Sequence, residues 1–307
     1  MGLLPFVSVV VPVRNGEQTI ADCLESLLAQ DYPKERYEIF VVDNDSTDRT
    51  ATIIRRYPVT RLLERDAHSP AAARNRGIRE ARGEIIACID GDCRAAPDWL
   101  RRGVAAFGDN RIGCVAGAIH AESLKTLTQR YVEERGCNSQ RWAVHESLKP
   151  FAQTANALYR RCVFDHVGWF DVSLTIGEDA DLSWRMQDQM RLVIAFCPEA
   201  VVYHRHPATV RRLLRQRKGY GYASVRLYVQ YQQQMERQTL KYTYWDALAL
   251  ARRVRRLAAA CGGLIGSWLR GRHEPEPIAM AWLDVLSYLW WKLGQAQGSI
   301  RYRTWYL

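Results

Sequence analysis

Glu84-Ile85-Ile86-Ala87-Cys88-Ile89-Asp90-Gly91-Asp92 is the stretch from which the fold can be read. A short, unbroken apolar run bounded by charge is what a strand buried on both faces looks like. The Asp-Gly-Asp tip has two readings. Asp and Gly are ordinary turn residues. Two carboxylates side by side also repel unless a cation separates them, and a hard ion such as Mg²⁺ or Mn²⁺ takes oxygen ligands and bridges to diphosphate oxygens. The position directly after a buried strand gives the second reading its weight.

Working outward, similar runs stand at Val7 to Val11, Glu38 to Val42 and Val59 to Leu63. Helical patterns near Glu17 to Leu28, Asp48 to Arg56, Ala71 to Ala81 and Pro97 to Phe107 alternate with them. Strands alternating with helices predict an α/β fold with a mostly parallel central sheet flanked by helices. Ligands in such sheets sit beyond the carboxyl ends of the strands. From Ile112 onward the pattern is mixed: a strand at Cys114 to Ile119, a polar helix near Lys125 to Arg141, and an apolar segment at Leu192 to Val202. Residues 1–206 are thus expected to form one domain, with a ligand-binding half to about 110 and a second half from 111. Residues 207–307 are expected to be a helical extension.

At 307 residues the chain can bury a substantial core. Its eight cysteines show no C-x-x-C pair and no zinc spacing, which suits a reduced cytoplasmic setting with most of them as core residues. The first apolar run is cut by Pro12 and Arg14 and reads as a strand rather than a secretory signal. The net charge of +10 is unevenly placed, with 18 Lys and Arg against 5 Asp and Glu in residues 205–307.

Two further acidic clusters stand out. Val41-Val42-Asp43-Asn44-Asp45-Ser46-Thr47-Asp48 follows an apolar strand. Ser46, Thr47 or Asp48 would serve as N-cap of a helix at Arg49. Asp43 and Asp45 are not needed for capping and are free to accept hydrogen bonds from a base or ribose. Gly177-Glu178-Asp179 opens a helix, where a carboxylate is often only a dipole partner. Facing a pocket, it would instead take a proton from an attacking hydroxyl.

Taken together, Val9-Val10-Val11-Pro12-Val13-Arg14-Asn15-Gly16-Glu17, the Asp43 to Asp48 run, Ala73-Arg74-Asn75-Arg76-Gly77, Ile89-Asp90-Gly91-Asp92 and Gly177-Glu178-Asp179 resemble family-two glycosyltransferases of the GT-A fold. Thr154 to Arg161 and Gly168 to Asp171 match that family's middle region, and the resemblance covers roughly residues 6–220. It implies an inverting transfer of one sugar from a nucleotide diphosphate to an acceptor hydroxyl. It places Pro12, Glu17, Asp43, Asp45, Arg74, Asp90 and Gly91 at the nucleotide and Asp92 on the metal, Mn²⁺ or Mg²⁺. Asp179 becomes the general base, and Asn156 and Glu178 face the sugar or acceptor. A histidine from a later loop completes many such metal sites; His204 is the choice here, with His206 the alternative. UDP is the default donor nucleotide, with dTDP and GDP open, and the acceptor is a glycan or a lipid-linked hydroxyl. Processive relatives carry a Q-x-x-R-W motif, whereas Gln216-Arg217-Lys218-Gly219-Tyr220 lacks its Arg and Trp, which favours single-sugar transfer.

The C-terminal region sets Arg211, Arg212, Arg215, Arg217 and Lys218 among Val210, Leu213 and Leu214, and Arg252, Arg253, Arg255 and Arg256 among Leu248, Leu250, Val254 and Leu257. Trp282 to Lys292 adds a dense aromatic stretch. Basic faces with Trp and Leu suit an anionic lipid surface, so peripheral contact with the inner membrane face is expected. No run reaches the roughly twenty apolar residues of a span. Two rival classes are weaker. Nucleic-acid binding suits the basic charge but not three acidic strand-end clusters. Nucleotidyl transfer usually needs a Gly-rich phosphate loop, and no G-x-G-x-x-G or G-x-x-x-x-G-K-[ST] run is present.

Overall fold

In the computed structural model, which describes residues 4–235, 248, 250–262 and 276–304, the buried Ile85–Ile89 run is strand β4 of an eight-stranded sheet. The other strands are β1 (Val7–Val13), β2 (Tyr37–Asp43), β3 (Thr60–Leu63), β5 (Cys93–Ala95), β6 (Ile112–Ala121), β7 (Asn156–Arg160) and β8 (Val193–His204), in the spatial order β3-β2-β1-β4-β7-β6-β8-β5. β3, β2, β1 and β4 are parallel, as the alternation with helices requires. β7 then runs antiparallel to both β4 and β6, and β5 antiparallel to β8, so the sheet is mixed. Neither β7 nor β5 is among the strands expected from the sequence.

β1 and β4 are buried on both faces, and their alternate residues divide between two cores. Val7, Val9, Val11 and Val13 pack with Ile20, Cys23, Leu24 and Leu27 of α1 (Ile20–Leu28). Val10, Ile86 and Cys88 face the other way, toward Ala71, Ala73 and Ile78 of α3 (Pro70–Glu80). This period of two is the pleat of the strand. α3 starts sharply because Ser69 accepts a hydrogen bond from the Ala72 N–H at 3.1 Å and Pro70 needs no donor.

The remaining helices are α2 (Thr50–Ile54), α4 (Trp99–Ala105), α5 (Leu127–Glu134), α6 (Gln140–His145), α7 (Arg161–Val167), α8 (Glu178–Met190) and α9 (Val210–Met235, kinked at Tyr231); residues 250–262 form α10 and Glu276–Tyr302 α11. The polar helix expected over Lys125 to Arg141 is two helices. Gly136 adopts φ +59 and ends the first, a capping box of Thr126 and Gln129 starts it, and Ser139 caps the second. The helix expected from Asp48 begins at Thr50, with Arg49 at the N-cap.

The chain divides into two compact units. One comprises Met1–Ser123 with Gly136–Arg205, the other Leu124–Arg135 with His206–Leu307. The second includes α5 together with α9, α10 and α11. The helical reading of the C-terminal region also covers residues 236–247, 249, 263–275 and 305–307, which lie outside the described residues. Among the described residues no helix is long and apolar enough to cross a membrane. None of the eight cysteines forms a disulfide, and five are buried.

Gly77 of α3 lies flat on the sheet. A Cβ there would stand 2.6 Å from Val10 Cγ1 and 3.1 Å from Val42 Cγ2. Gly77→Ala is therefore expected to destabilise the sheet-bearing unit by about 1–3 kcal/mol through overpacking, despite the better helix propensity of Ala, read as a lower urea midpoint.

Candidate active site

The carboxyl ends of β1, β2 and β4 lie side by side, because Pro12 pairs with Val42 and Val13 with Asp43 while β4 runs along the other edge of β1. At the β4 tip the Gly91 N–H donates to the Pro12 carbonyl at 3.3 Å. The loops after β1 and β2 are latched to one another. Asn15 N–H donates to Ser46 Oγ at 3.0 Å, Gly16 N–H to Thr50 Oγ1 at 2.8 Å and Glu17 N–H to Asp48 Oδ2 at 3.1 Å. Thr47 N–H donates back to Asn15 Oδ1, and Arg49 N–H to Glu17 Oε2. The Ser-Thr-Asp run is thus mainly a latch between loops, and the N-cap reading of Ser46 and Thr47 is corrected. Glu17 lies beside the β1 end with its carboxylate turned to Arg49.

Asp43 is almost wholly buried. Its Oδ1 accepts the Ser46 N–H at 3.0 Å and its Oδ2 the Arg61 guanidinium at 2.8 Å, so it is not the free acceptor expected. Asp45 is half-buried in the left-handed region at φ 56. Two neighbours that sequence reasoning passed over carry buried atoms without a partner: Asn44 Oδ1 and Arg61 Nε. Asn44 donates its amide to the Ser69 carbonyl at 3.1 Å, which fixes the orientation of the open oxygen. Nothing in the sequence marks Arg61, since it lies mid-strand in β3.

Arg74 joins two acidic clusters that stand far apart in the chain. From α3, 3% exposed, its guanidinium reaches Asp90 Oδ1 after β4 and Glu178 Oε1 at the start of α8, both at 2.7 Å. Burial works against its charge, but Asp90 and Glu178 outweigh that and raise its pKa. Glu178 is correspondingly 6% exposed and committed to Arg74, which corrects its assignment to an acceptor sugar. The next residue, Asp179, has its Oδ1 on the Ala180 N–H at 2.8 Å. Its pKa is pushed up to about 7, first by loss of hydration and then by the Glu178 charge; the Ala180 N–H and Arg74 oppose the rise and Asp90 adds to it. Gly177, at φ 90, makes the turn that sets both carboxyls at the helix start.

Asp92 is brought to His204 by the pairing of β5 with β8, in which Cys93 lies opposite His204. Arg205 N–H holds the Asp92 carbonyl at 3.1 Å. Asp92 Oδ1 and His204 Nε2 are 3.8 Å apart, too far for a hydrogen bond and within the span of two donors to one cation with bonds of about 2.1 Å. Cys93 Sγ lies in the same cluster. Burial and the charges of Asp92 and Asp90 push that thiol upward, and as a protonated thiol it is a weak ligand. A hard carboxylate and a borderline imidazole, one 45% exposed and the other 13%, are a donor pair for a divalent cation and suit Mn²⁺ better than Mg²⁺. His206 turns elsewhere, its Nε2 3.1 Å from Glu133 Oε2.

Asn156 corrects another expectation. It is fully buried in β7, accepts from Trp99 Nε1 at 2.7 Å and donates to the carbonyls of Ala118 and Ala200 at 2.8 Å each. Its amide ties α4, β6 and β8 together and lines no cleft. Asn75 has a similar role, exchanging hydrogen bonds with the Phe170 backbone at 2.8 and 3.0 Å.

The glycosyl transferase family 2 model matches residues 8–168, more than half of the chain. The chain belongs to this family. The matched run takes in Asp43, Arg74, Asp90 and Asp92 and stops before Asp179 and His204. Among similar proteins, the glycosyltransferase AglE of Haloferax volcanii is 36% identical over 194 residues, 60% of this chain and 62% of AglE. A beta-monoglucosyldiacylglycerol synthase of Nostoc sp. is 35% identical over 121 residues, 37% of this chain and 26% of the synthase. The chain thus spans less than two thirds of the length of either relative. In fold it resembles the mannosyltransferase PcManGT from Pyrobaculum calidifontis, solved with GDP-Man and Mn²⁺, at a TM-score of 0.64 and 23% identity over 94% of this chain and 87% of that one. This family member has the GT-A fold.

Asn156→Ala would leave the Trp99 indole N–H and two carbonyls unpaired in the core. It is expected to lower stability by about 3 kcal/mol, with the nucleotide affinity of the folded protein unchanged, checked by thermal unfolding and calorimetry.

Proposed function

We propose that this chain transfers a single hexosyl group from a nucleotide-diphosphate sugar to an acceptor hydroxyl with inversion, and that Asp179 is the base. The observation that carries the reading is the Arg74 bridge, which gathers Asp90 from one strand end and Glu178–Asp179 from a helix start far along the chain. In that step Asp179 takes the acceptor hydroxyl proton as the oxygen attacks the anomeric carbon. The carbon–oxygen bond to the diphosphate breaks on the opposite face, and the nucleoside diphosphate leaves with its electron pair. A carboxyl poised near 7 is matched to this proton transfer.

Asp92 and His204 would hold Mn²⁺ or Mg²⁺ in this reading. A divalent cation there supplies charge neutralisation for the departing diphosphate. PcManGT was solved with Mn²⁺ and GDP-Man, which are that protein's ligands; for this chain the support is the Asp92–His204 spacing. The base sits beside Asp43, where Asn44 Oδ1 offers an open acceptor and Arg61 Nε an open donor. Pro12, Glu17, Asp45 and Gly91 border the same strand ends, with Asp90 at the ribose and phosphates. Uridine is the base in this reading, and thymidine and guanosine donors complete the screen.

The acceptor is a glycan or lipid-linked hydroxyl of the cell envelope, and the enzyme works at the inner membrane face. Support for that placement is the basic, Trp-rich composition of the C-terminal region.

Calorimetry across UDP, dTDP and GDP sugars with Mn²⁺ tests the donor site. Asp92→Ala and His204→Ala are each expected to lose metal-dependent donor affinity by about tenfold or more; unchanged affinity in both removes the metal assignment. Asp179→Asn is expected to bind donor normally and lose turnover by a factor of about 10² to 10⁴. Because the protonated acid cannot accept a proton, parent kcat should fall as pH drops through about 7. Transfer by Asp179→Asn at the parent rate would refute the base.

A further inference from the structure

Helix α11 presents an apolar strip outward. Its buried side carries Met280, Ala281, Leu283 and Tyr288 together with Asp284, Ser287 and Gln295 at 4, 2 and 2% exposure, and Ser287 Oγ and Gln295 Oε1 have no partner. Its outer face carries Trp282, Leu289, Leu293 and Ile300 at 50, 46, 45 and 80% exposure. At about 100° per residue, these four and the half-buried Val285, Leu286, Trp290 and Ala296 fall within one arc of about 140°. Gln297 is the one polar residue on that arc. A helix on the surface of a water-soluble unit ordinarily carries polar residues on its outer arc.

The packing of α11 on α9 explains how a helix with so apolar an outer strip holds together. Gly294 and Gly298 are spaced G-x-x-x-G, and Gly221 of α9 lies against Trp291 of the same helix. A Cβ on Gly221 would strike the Trp291 carbonyl, one on Gly294 the Lys218 carbonyl, and one on Gly298 would approach Val225 Cβ to 2.8 Å. Backbones in such contact need few apolar side chains between them, as in helix pairs within lipid. Trp282, Leu289 and Leu293 are thereby left to the outer face, while Leu283 stays buried.

Charge selects the occupant. Lys292 borders the arc on one side and Arg301 on the other. Both acids of α11 are already engaged, Asp284 by Arg135 and Arg256 and Glu276 by Arg130. An apolar strip with cationic rims and no free acid complements an anionic lipid surface, whereas two copies laid face to face would oppose like-charged rims.

We propose that the outer arc of α11, centred on Trp282, Leu289, Leu293 and Ile300, is the surface by which this chain lies in an anionic lipid interface. The proposal rests on the membrane attachment put forward above and names its contact. The strip enters the acyl boundary side-on, parallel to the membrane plane, and Lys292 and Arg301 meet the headgroups.

Flotation of the full chain with phosphatidylcholine vesicles, with and without about one-third phosphatidylglycerol, tests it. Wild type should float with the anionic vesicles, and its tryptophan emission should be quenched by brominated acyl chains. Leu289→Gln with Leu293→Gln should cut partitioning by about tenfold or more, and Lys292→Gln with Arg301→Gln should cut it on anionic vesicles only. Should the leucine pair fail to fold, Ile300→Gln and the wild-type quenching decide. Undiminished flotation of a folded leucine variant overturns this surface and leaves membrane attachment standing. No flotation of wild type overturns both. A dimer that the leucine variant dissolves, without vesicle binding, assigns the strip to a second copy.

Discussion

A guanidinium buried to 3% exposure must have anions within reach, and the organisation of the sheet-bearing unit follows from meeting that requirement for Arg74. Its two anions come from places far apart in the chain, Asp90 at the tip of β4 and Glu178 at the start of α8. Each carboxylate in turn would be costly so close to the other without the cation between them. The three groups stabilise one another only when α3, β4 and α8 are all in place. Asp179 receives its raised pKa from the same constraint, since the charge on Glu178 that satisfies Arg74 also disfavours a second charge one residue on.

The motif residues divide by what they touch. Asn75, Gly77, Asp48 and Asn156 serve the scaffold: they strap the Phe170 segment, let α3 lie on the sheet, latch two loops and join three elements in the core. The buried Asn44 Oδ1 and Arg61 Nε keep polar atoms that the protein itself does not use, and Asp92 stands 3.8 Å from His204. A family signature mixes both kinds, because the precise strand-end geometry needed for chemistry must itself be built by buried polar contacts.

The C-terminal unit obeys a different logic. In the sheet, apolar side chains fill the interior, whereas α11 and α9 add glycine backbone contacts and buried amide and hydroxyl groups to their apolar side chains. Averaged along the helix, polar and apolar residues cancel, so overall hydropathy conceals the arrangement. The distribution around the helix axis is what separates a wet face from an oily one.

The parallel half of the fold was legible in the sequence because β1, β2 and β4 are buried on both faces and must be continuously apolar, while their connecting helices keep the helical period. The acidic tips were legible for the same reason, as charge directly after an apolar run has nowhere to be except the strand end. Short β5 and β7, the split of the 125–141 segment, and the roles of Asn156 and Glu178 were not, since each depends on partners far along the chain. Whether Asn156 faces a cleft or three buried groups, and whether Glu178 meets a sugar or Arg74, is decided by which elements pack around it. Local sequence names a side chain's chemistry, but only the assembled neighbours determine whether that chemistry is already satisfied.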